Sequence, residues 1–265
     1  EAISSYRKAI EINQDHIDAH YNLGHVLLLS SNFDEGFKEY EWRIKQPSKH
    51  YNATKCINSK QWNGEILNYK KILIFSEQGI GDIIQFSRYI YILRKNFSAN
   101  VIFKTEKNLI HMFSKNDFQT ISNEDSTPEH DYHIYLLSLP GIIYKKEKKI
   151  PSEINYINEN KKIFLKWEKK LKHIRGLRIG INWQGNKNYK YDTSRSISLN
   201  FFEKFFDLKN VNFINLQKGP GVEQLKEFKF KDKIYDFSNE VDNGSRAFED
   251  TIGILKNLDL VISSD

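Results

Sequence analysis

The sequence predicts an α/β protein made of two consecutive halves behind a short helical repeat, and three observations carry that reading. Residues 72–75 are a continuous, mostly β-branched or aromatic apolar run, the mark of a strand buried on both faces. Gly79 and Gly81 follow, and then Ile83, Phe86, Ile90 and Leu93 recur at helical spacing, so a tight turn leads into an amphipathic helix. A second series of this strand–loop–helix kind begins at Leu177, and each half is Rossmann-like. Finally, Ala2, Tyr6 and Ala9 match Gly36, Tyr40 and Arg43 at a constant offset of 34 positions.

That offset is the tetratricopeptide period, and residues 1–46 make the repeat segment. Asn22-Leu-Gly24 and Asn32-Phe-Asp-Glu-Gly36 fit its two helices and intervening turn, one full copy and the tail of another. Gly36 stands where a small alanine is usual, and Gln14 where a closing proline is usual. One copy cannot bury its own face, so further repeats are expected before Glu1. Docking of a protein partner or acceptor and a structural cap are the roles open to it. Residues 47–70 read as a polar linker whose Trp62-Asn-Gly64 pins it to the next domain.

Residues 71–174 form the N-terminal half. After the strand from Lys71 and the helix to Arg94, a strand is expected at 100–105, a short helix at 109–113 and a strand at 118–121. A further apolar strand at 131–137 ends in Ser138-Leu-Pro140. A loop with Gly141 and the lysine-rich run 145–149 leads through Pro151 to a helix at 163–174, closed by Arg175-Gly176. Residues 175–265 form the second half. It has a strand at 178–183, a long polar loop at 184–196, a helix at 201–206 and a strand at 211–216 running into Gln217-Lys-Gly-Pro-Gly221. A short strand at 234–237, a helix at 247–258 and a last buried strand at 260–262 complete it. Two halves joined by a helix are expected to enclose one cleft between two sheets. The chain stops at Ser263-Ser-Asp265, where a strand-to-helix loop is due, so this half reads as incomplete.

Composition narrows the function classes. Of 265 residues, 39% are hydrophobic, which supports real cores, and 40 basic against 34 acidic residues leave a mild +6. No nucleic-acid partner is expected from so small an excess, and the run 145–149 reads as a solvated loop rather than a lipid or nucleic-acid contact. No apolar stretch approaches the roughly 20 residues of a membrane span. The single cysteine, Cys56, excludes an internal disulfide and fits a reducing cytoplasm. The expected location is therefore cytoplasmic, at most peripheral at the inner face of a membrane. The chain begins at Glu1 and its sole methionine is Met112, so the start of translation is expected to lie outside this chain. His111 and His173 stand alone, and no His/Cys/Asp cluster has metal-ligand spacing.

The turn after the first strand lies at a strand's carboxyl end, the edge at which open α/β sheets bind ligands. Asp82 stands there, at the first position of the helix. Two readings of it stand together: an ionisable group at the ligand edge, and a carboxylate that satisfies free N–H groups at a helix start. The turn is not a dinucleotide fingerprint, because the third glycine would fall at Ile84 and no P-loop Lys-Ser/Thr follows. A nicotinamide cofactor is not expected.

Several motifs occur together in a fixed order: Glu77-Gln-Gly-Ile-Gly-Asp-Ile-Ile-Gln-Phe-Ser-Arg-Tyr89, Ser138-Leu-Pro140, Gly180-Ile-Asn-Trp-Gln-Gly-Asn186, Arg195-Ser196, Leu216-Gln217 and Leu258-Asp-Leu-Val-Ile-Ser-Ser-Asp265. In this order they resemble bacterial tetratricopeptide-repeat glycosyltransferases related to the heptosyltransferases of glycosyltransferase family 9, over nearly the whole chain. The resemblance implies a GT-B fold of two Rossmann-like domains and inverting, metal-independent transfer of a hexose- or heptose-like sugar from a nucleotide-diphosphate donor. The acceptor would be a hydroxyl of a glycan, glycolipid or protein, and no cofactor is needed beyond the nucleotide sugar as co-substrate. The sequence has no Asp-x-Asp pair of the metal-dependent kind.

By the same resemblance, the base is Asp82, in a loop whose Gln78, Gly79 and Gly81 are expected to bind substrate or donor. The C-terminal half holds the donor, and Asp265 is the aspartate of an Asp-Thr-x-x-x-His motif whose remainder lies past the chain end. The leaving diphosphate needs positive charge, for which Arg195, Lys218 and the backbone N–H groups of Gly185 and Gly219 are candidates. Trp183, Asn186, Ser196 and Gln217 complete the expected donor set, Gln217 being placed at the cleft. Alternatives stay open: Trp183 as core packing, Arg195 and Ser196 as caps of the following helix, and Asp192 as a merely solvated group. For the whole chain, the alternative is a non-catalytic tetratricopeptide scaffold with a degenerate or nucleotide-sugar-binding GT-B part. These 265 residues by themselves are expected to be inactive.

Overall fold

In a computed structural model, residues 1–47, 58–114, 116–152, 156–157 and 159–264 are described. The chain divides into two compact units, Glu1–Ile157 and Asn158–Asp265. Cys56 and Asp265 lie outside the described residues.

The first unit opens with three helices, α1 (Ala2–Ile12), α2 (Ile17–Leu29) and α3 (Phe33–Tyr40), followed by a short 3-10 turn at Glu41–Lys45. Glycine permits their close crossing. A side chain at Gly24 would meet the Tyr40 backbone nitrogen at 2.5 Å, and one at Gly36 would press on Leu28 at 3.0 Å. Ala19, Leu23 and Leu27 line the buried face of α2, and the His20 ring stacks on Trp42 at 3.7 Å.

A five-stranded parallel sheet follows, in the order β1-β5-β2-β3-β4. The strands are β1 (Lys60–Gln61), β2 (Lys71–Phe75), β3 (Asn100–Thr105), β4 (Gln119–Ser122) and β5 (Tyr132–Tyr135). The apolar run at 72–75 is interior, as the pattern requires, with Ile72, Leu73 and Ile74 fully buried. β1 was expected to be linker. Its two residues pair beside β5, and the buried Trp62 donates from Nε1 to the Glu65 carbonyl at 2.8 Å while its edge meets Phe97. Two residues are too short for an alternating pattern to announce a strand.

Two helices replace the one expected from 83 to 94: α4 (Ile80–Phe86) and α5 (Arg88–Phe97). The buried Ser87 hydroxyl donates to the Ile84 carbonyl at 2.8 Å, a local bond that competes with the helical ladder. The expected loop at Gly141 is also helical, α6 (Leu139–Glu147), with Pro140 in its first turn, where a missing N–H costs nothing. The Lys146 ammonium lies over Phe97, and Lys148 pairs with Asp34 of α3.

The second unit begins earlier than the sequence boundary at 174/175. Its first helix, α7 (Lys161–Leu171), packs Trp167 and Leu171 into one core with Ile214 and Ile254. The four-stranded parallel sheet is β8-β7-β6-β9, from β6 (Leu177–Asn182), β7 (Val211–Asn215), β8 (Ile234–Tyr235) and β9 (Leu260–Ser263). A 3-10 helix at Leu199–Asp207 covers one face, and α8 (Glu249–Leu255) belongs to the core with α7. Gly176, at φ +91°, makes the turn into β6. β9 is not the buried strand expected. It is an edge, with Leu260 52% and Val261 42% exposed.

Candidate functional site

At the carboxyl end of β2 the chain continues through Ser76, Glu77 and Gln78 into α4. The glycines were expected to make this turn, yet the left-handed residue is Gln78, at φ +61°, while Gly79 is extended at φ −86°. A non-glycine residue there is strained and persists only when its surroundings hold it. They do so here: the Gln78 amide donates from Nε2 to the Tyr40 hydroxyl at 3.0 Å.

Asp82 is the third helical residue rather than the first. Its Oδ2 accepts the Gly79 N–H at 3.1 Å, half of a capping arrangement. Among the described residues, Oδ1 has no partner. At Gly81 an added side chain would meet nothing within 4 Å, and Asp82 itself is half-buried. The His25 pKa is lowered by burial of its ring, and the charge of Asp82 pulls the other way.

Beneath this loop lies a buried ion pair. Arg43, whose side chain is 1% exposed, donates from Nε and Nη2 to the two oxygens of fully buried Glu77 at 3.0 and 2.8 Å. Glu77 also accepts the Leu137 N–H at 2.9 Å. The Ser138 hydroxyl accepts from Arg43 and donates to Glu41. Burial opposes the arginine's charge, but Glu41 and Glu77 outweigh it and hold its pKa above the ordinary range. The repeat, the β2 loop and the end of β5 are thereby joined at one point. Sequence reasoning missed Arg43, Glu77, His25 and Tyr40. One signal was available for Arg43: it occupies the repeat position that Ala9 holds in the preceding copy, an odd place for a charge.

The expected donor residues are brought close together in the second unit but are occupied by one another. Trp183 is fully buried in the core with Ile181, Leu199 and Phe202, and its Nε1 donates to the Gly221 carbonyl, so core packing is its role. Gln217, expected at a cleft, is 3% exposed. Its Oε1 accepts the N–H groups of Trp183 and Gln184, and its Nε2 donates to the carbonyls of Gln184 and Pro220. A carboxamide has no further strong valence to offer a ligand.

Lys218 is likewise engaged, donating to the carbonyls of Val241 and Asp242 and to Asn243. Gly219, at φ +74°, faces open space. The Gly185 N–H is taken by the Ser196 hydroxyl, which donates in turn to Asp192. Asn186 makes a local turn, accepting the Asn188 N–H. Asp192 is a buried anchor rather than a solvated group. Arg195 pairs with it at 3.4 Å and lies 4.5 Å over the Tyr189 ring, its side chain still 28% exposed. Neither Arg195 nor Ser196 caps the next helix; Ser198 does. Among the described residues, no three His, Cys, Asp or Glu side chains converge as a metal site, and no helix is long and apolar enough to cross a membrane.

A TPR repeat family model matches residues 1–30. No curated protein matches the chain. Among solved structures, the glycosyl transferase family 9 protein from Veillonella parvula DSM 2008 superposes with a TM-score of 0.51 at 10% identity, over 76% of this chain and 77% of that one. The E. coli ADP-heptose LPS heptosyltransferase II superposes with a TM-score of 0.52 at 10% identity, over 74% of this chain and 79% of that one. At such identities the likeness is one of fold. The chain has the α/β fold of family 9 glycosyltransferase structures, the GT-B type, behind a tetratricopeptide segment.

Proposed function

We propose that this chain is a glycosyltransferase that moves a hexose- or heptose-like sugar from a nucleotide-diphosphate donor to an acceptor hydroxyl on a glycan, glycolipid or protein. Transfer proceeds with inversion and without a metal. The observation that carries the reading is Asp82, whose Oδ1 has no partner among the described residues, at the carboxyl edge of β2 in a fold shared with family 9 glycosyltransferases. A hydroxyl is a poor nucleophile. A carboxylate within hydrogen-bond reach takes its proton as the oxygen attacks the anomeric carbon and the bond to the diphosphate breaks. The Gly79 N–H fixes the carboxylate through its other oxygen. In the second unit Arg195, whose side chain is 28% exposed, is the cation we assign to the donor's diphosphate.

One observation favours a second reading, a nucleotide-sugar-binding or inert scaffold: Gln217 and Lys218 are saturated by the protein's own groups. A single substitution separates the two. In the full-length protein, Asp82→Asn keeps the cap, because the amide oxygen still accepts from Gly79, and is expected to lower nucleotide release in the presence of acceptor by roughly 10²–10⁴-fold with donor affinity unchanged. Parental turnover in Asp82→Asn would leave Asp82 as a helix cap only. In the full-length protein, donor binding without nucleotide release, for any donor and acceptor pair, would establish the scaffold.

A further inference from the structure

The repeat helix α3 and the helix α6 meet without closing on each other along their whole length. Their contact is tight at Gly141, where an added side chain would press on Phe37 at 3.0 Å. Alongside lies a cavity of about 730 Å³, lined by α3, α6 and the segment that follows β1. Sites for small molecules run from roughly 300 to 1,000 Å³, so this one has room for such a ligand. One wall is aromatic. The Phe33 and Phe37 rings lie 6.0 Å apart, and Tyr144 of α6 meets them at 5.2 and 5.7 Å. All three rings are half-buried, and Ile142 lines the cavity with them.

The charges around this space do not balance. Among the described residues its lining holds the carboxylates of Asp34 and Glu41 and the ammonium groups of Lys38, Lys145 and Lys146. Both carboxylates are already neutralised, Asp34 by Lys148 and Glu41 by Arg43, with the Ser138 hydroxyl also donating to Glu41. Lys146 lies over the Phe97 ring at 4.4 Å. Lys38 and Lys145 have no such partner among the described residues, and the Gln61 carboxamide in the same lining is equally unengaged.

We propose that this cavity binds a small aromatic anion, a flat ring system bearing a negatively charged arm. Rings set at these separations take a further ring in offset or edge contact, a gain beyond the apolar area buried. The surplus lysines select for negative charge and against a cationic ring. A carboxamide supplies both a donor and an acceptor for a polar ring edge, which an alkyl chain would leave unmet. Asp82 does not line this cavity, so the proposal stands apart from the transfer reaction.

The test is calorimetric binding to the full-length protein, paired with hydrogen exchange to locate the site. The probes are indole-3-acetate and uridine 5′-monophosphate as ring anions, tryptamine as a ring cation and hexanoate as a chain anion. A ring anion should bind and slow exchange at α3 and α6, with tryptamine and hexanoate at least about tenfold weaker. Protection there by indole-3-acetate marks a free aromatic acid as the ligand, and protection by the nucleotide only marks a nucleotide. The double variant Lys38→Gln with Lys145→Gln, and separately Tyr144→Leu, should each weaken binding roughly fivefold with circular dichroism unchanged. Lys204→Gln, an exposed lysine of the second unit, should not. The proposal is overturned if neither ring anion protects α3 and α6, if tryptamine or hexanoate binds as tightly, or if both of those variants bind at the parental strength.

Discussion

After β2 the chain turns through Gln78 into α4, and after β6 it turns through Trp183 into a loop that ends at Ser196. Both turns leave a central parallel strand at its carboxyl end, and both carry glycines and polar side chains. They are finished differently. In the first, strain at Gln78 is held by the Tyr40 hydroxyl, and Asp82 retains an oxygen without a partner among the described residues. In the second, Gln217, Ser196, Asp192 and Lys218 satisfy one another and the backbone. A polar residue at a ligand edge therefore carries chemistry only where its valences remain free, and residue type alone does not reveal that. The first loop keeps a free carboxylate oxygen among the described residues, whereas the second is mainly a clasp.

The comparison can be pressed hardest at its support. Arg43→Ala leaves Glu77 as an uncompensated buried carboxylate and should destabilise the first unit by about 3–5 kcal/mol. Hydrogen exchange should accelerate across β2 and α4 while β6 and β7 are unaffected; equal loss in both units would show that the Arg43–Glu77 pair is not a local support.

Gln217→Ala strips partners from two N–H groups and two carbonyls at the second loop, for an expected loss of about 1–3 kcal/mol. Urea denaturation followed by hydrogen exchange at β6 checks this, and a change in donor affinity with unchanged stability would return Gln217 to the ligand.

Asp250 tests the clasp through pH. Burial would raise its pKa, but hydrogen bonds from Lys166, Trp167 and the Asp242 amide outweigh that and hold it below the ordinary carboxylate value. A carboxylate depressed on folding contributes stability above its unfolded pKa, about 3.9, and loses it as pH falls through the folded value. The second unit should therefore weaken below about pH 4. Asp250→Asn should cost about 1.5 kcal/mol at pH 7 and flatten that acid limb, read as the urea midpoint at pH 7 and pH 3.

The smallest effect is expected at exposed Lys218, where alanine should cost less than about 1 kcal/mol and leave donor affinity unchanged by calorimetry. A large loss of donor affinity there would break the contrast between the loops.

Much of this protein was legible in its sequence. Periodicity placed β2, β3, β6 and β7 within a residue or so, because interior parallel strands need unbroken apolar runs and their helices need an apolar stripe. The 34-residue offset exposed the repeat, and the position of Asp82 after a strand and a glycine turn marked the candidate edge. What only the tertiary structure decided is which polar groups meet. Arg43 finds Glu77 across 34 residues and Ser138 across 95, and Tyr40 finds Gln78 across 38. The same holds for β1 and β9, since a strand's own residues do not record whether it has one neighbour or two. Periodicity is a local property of the chain, whereas hydrogen-bond satisfaction depends on every segment packed around a group, so it is settled only once the whole unit has folded.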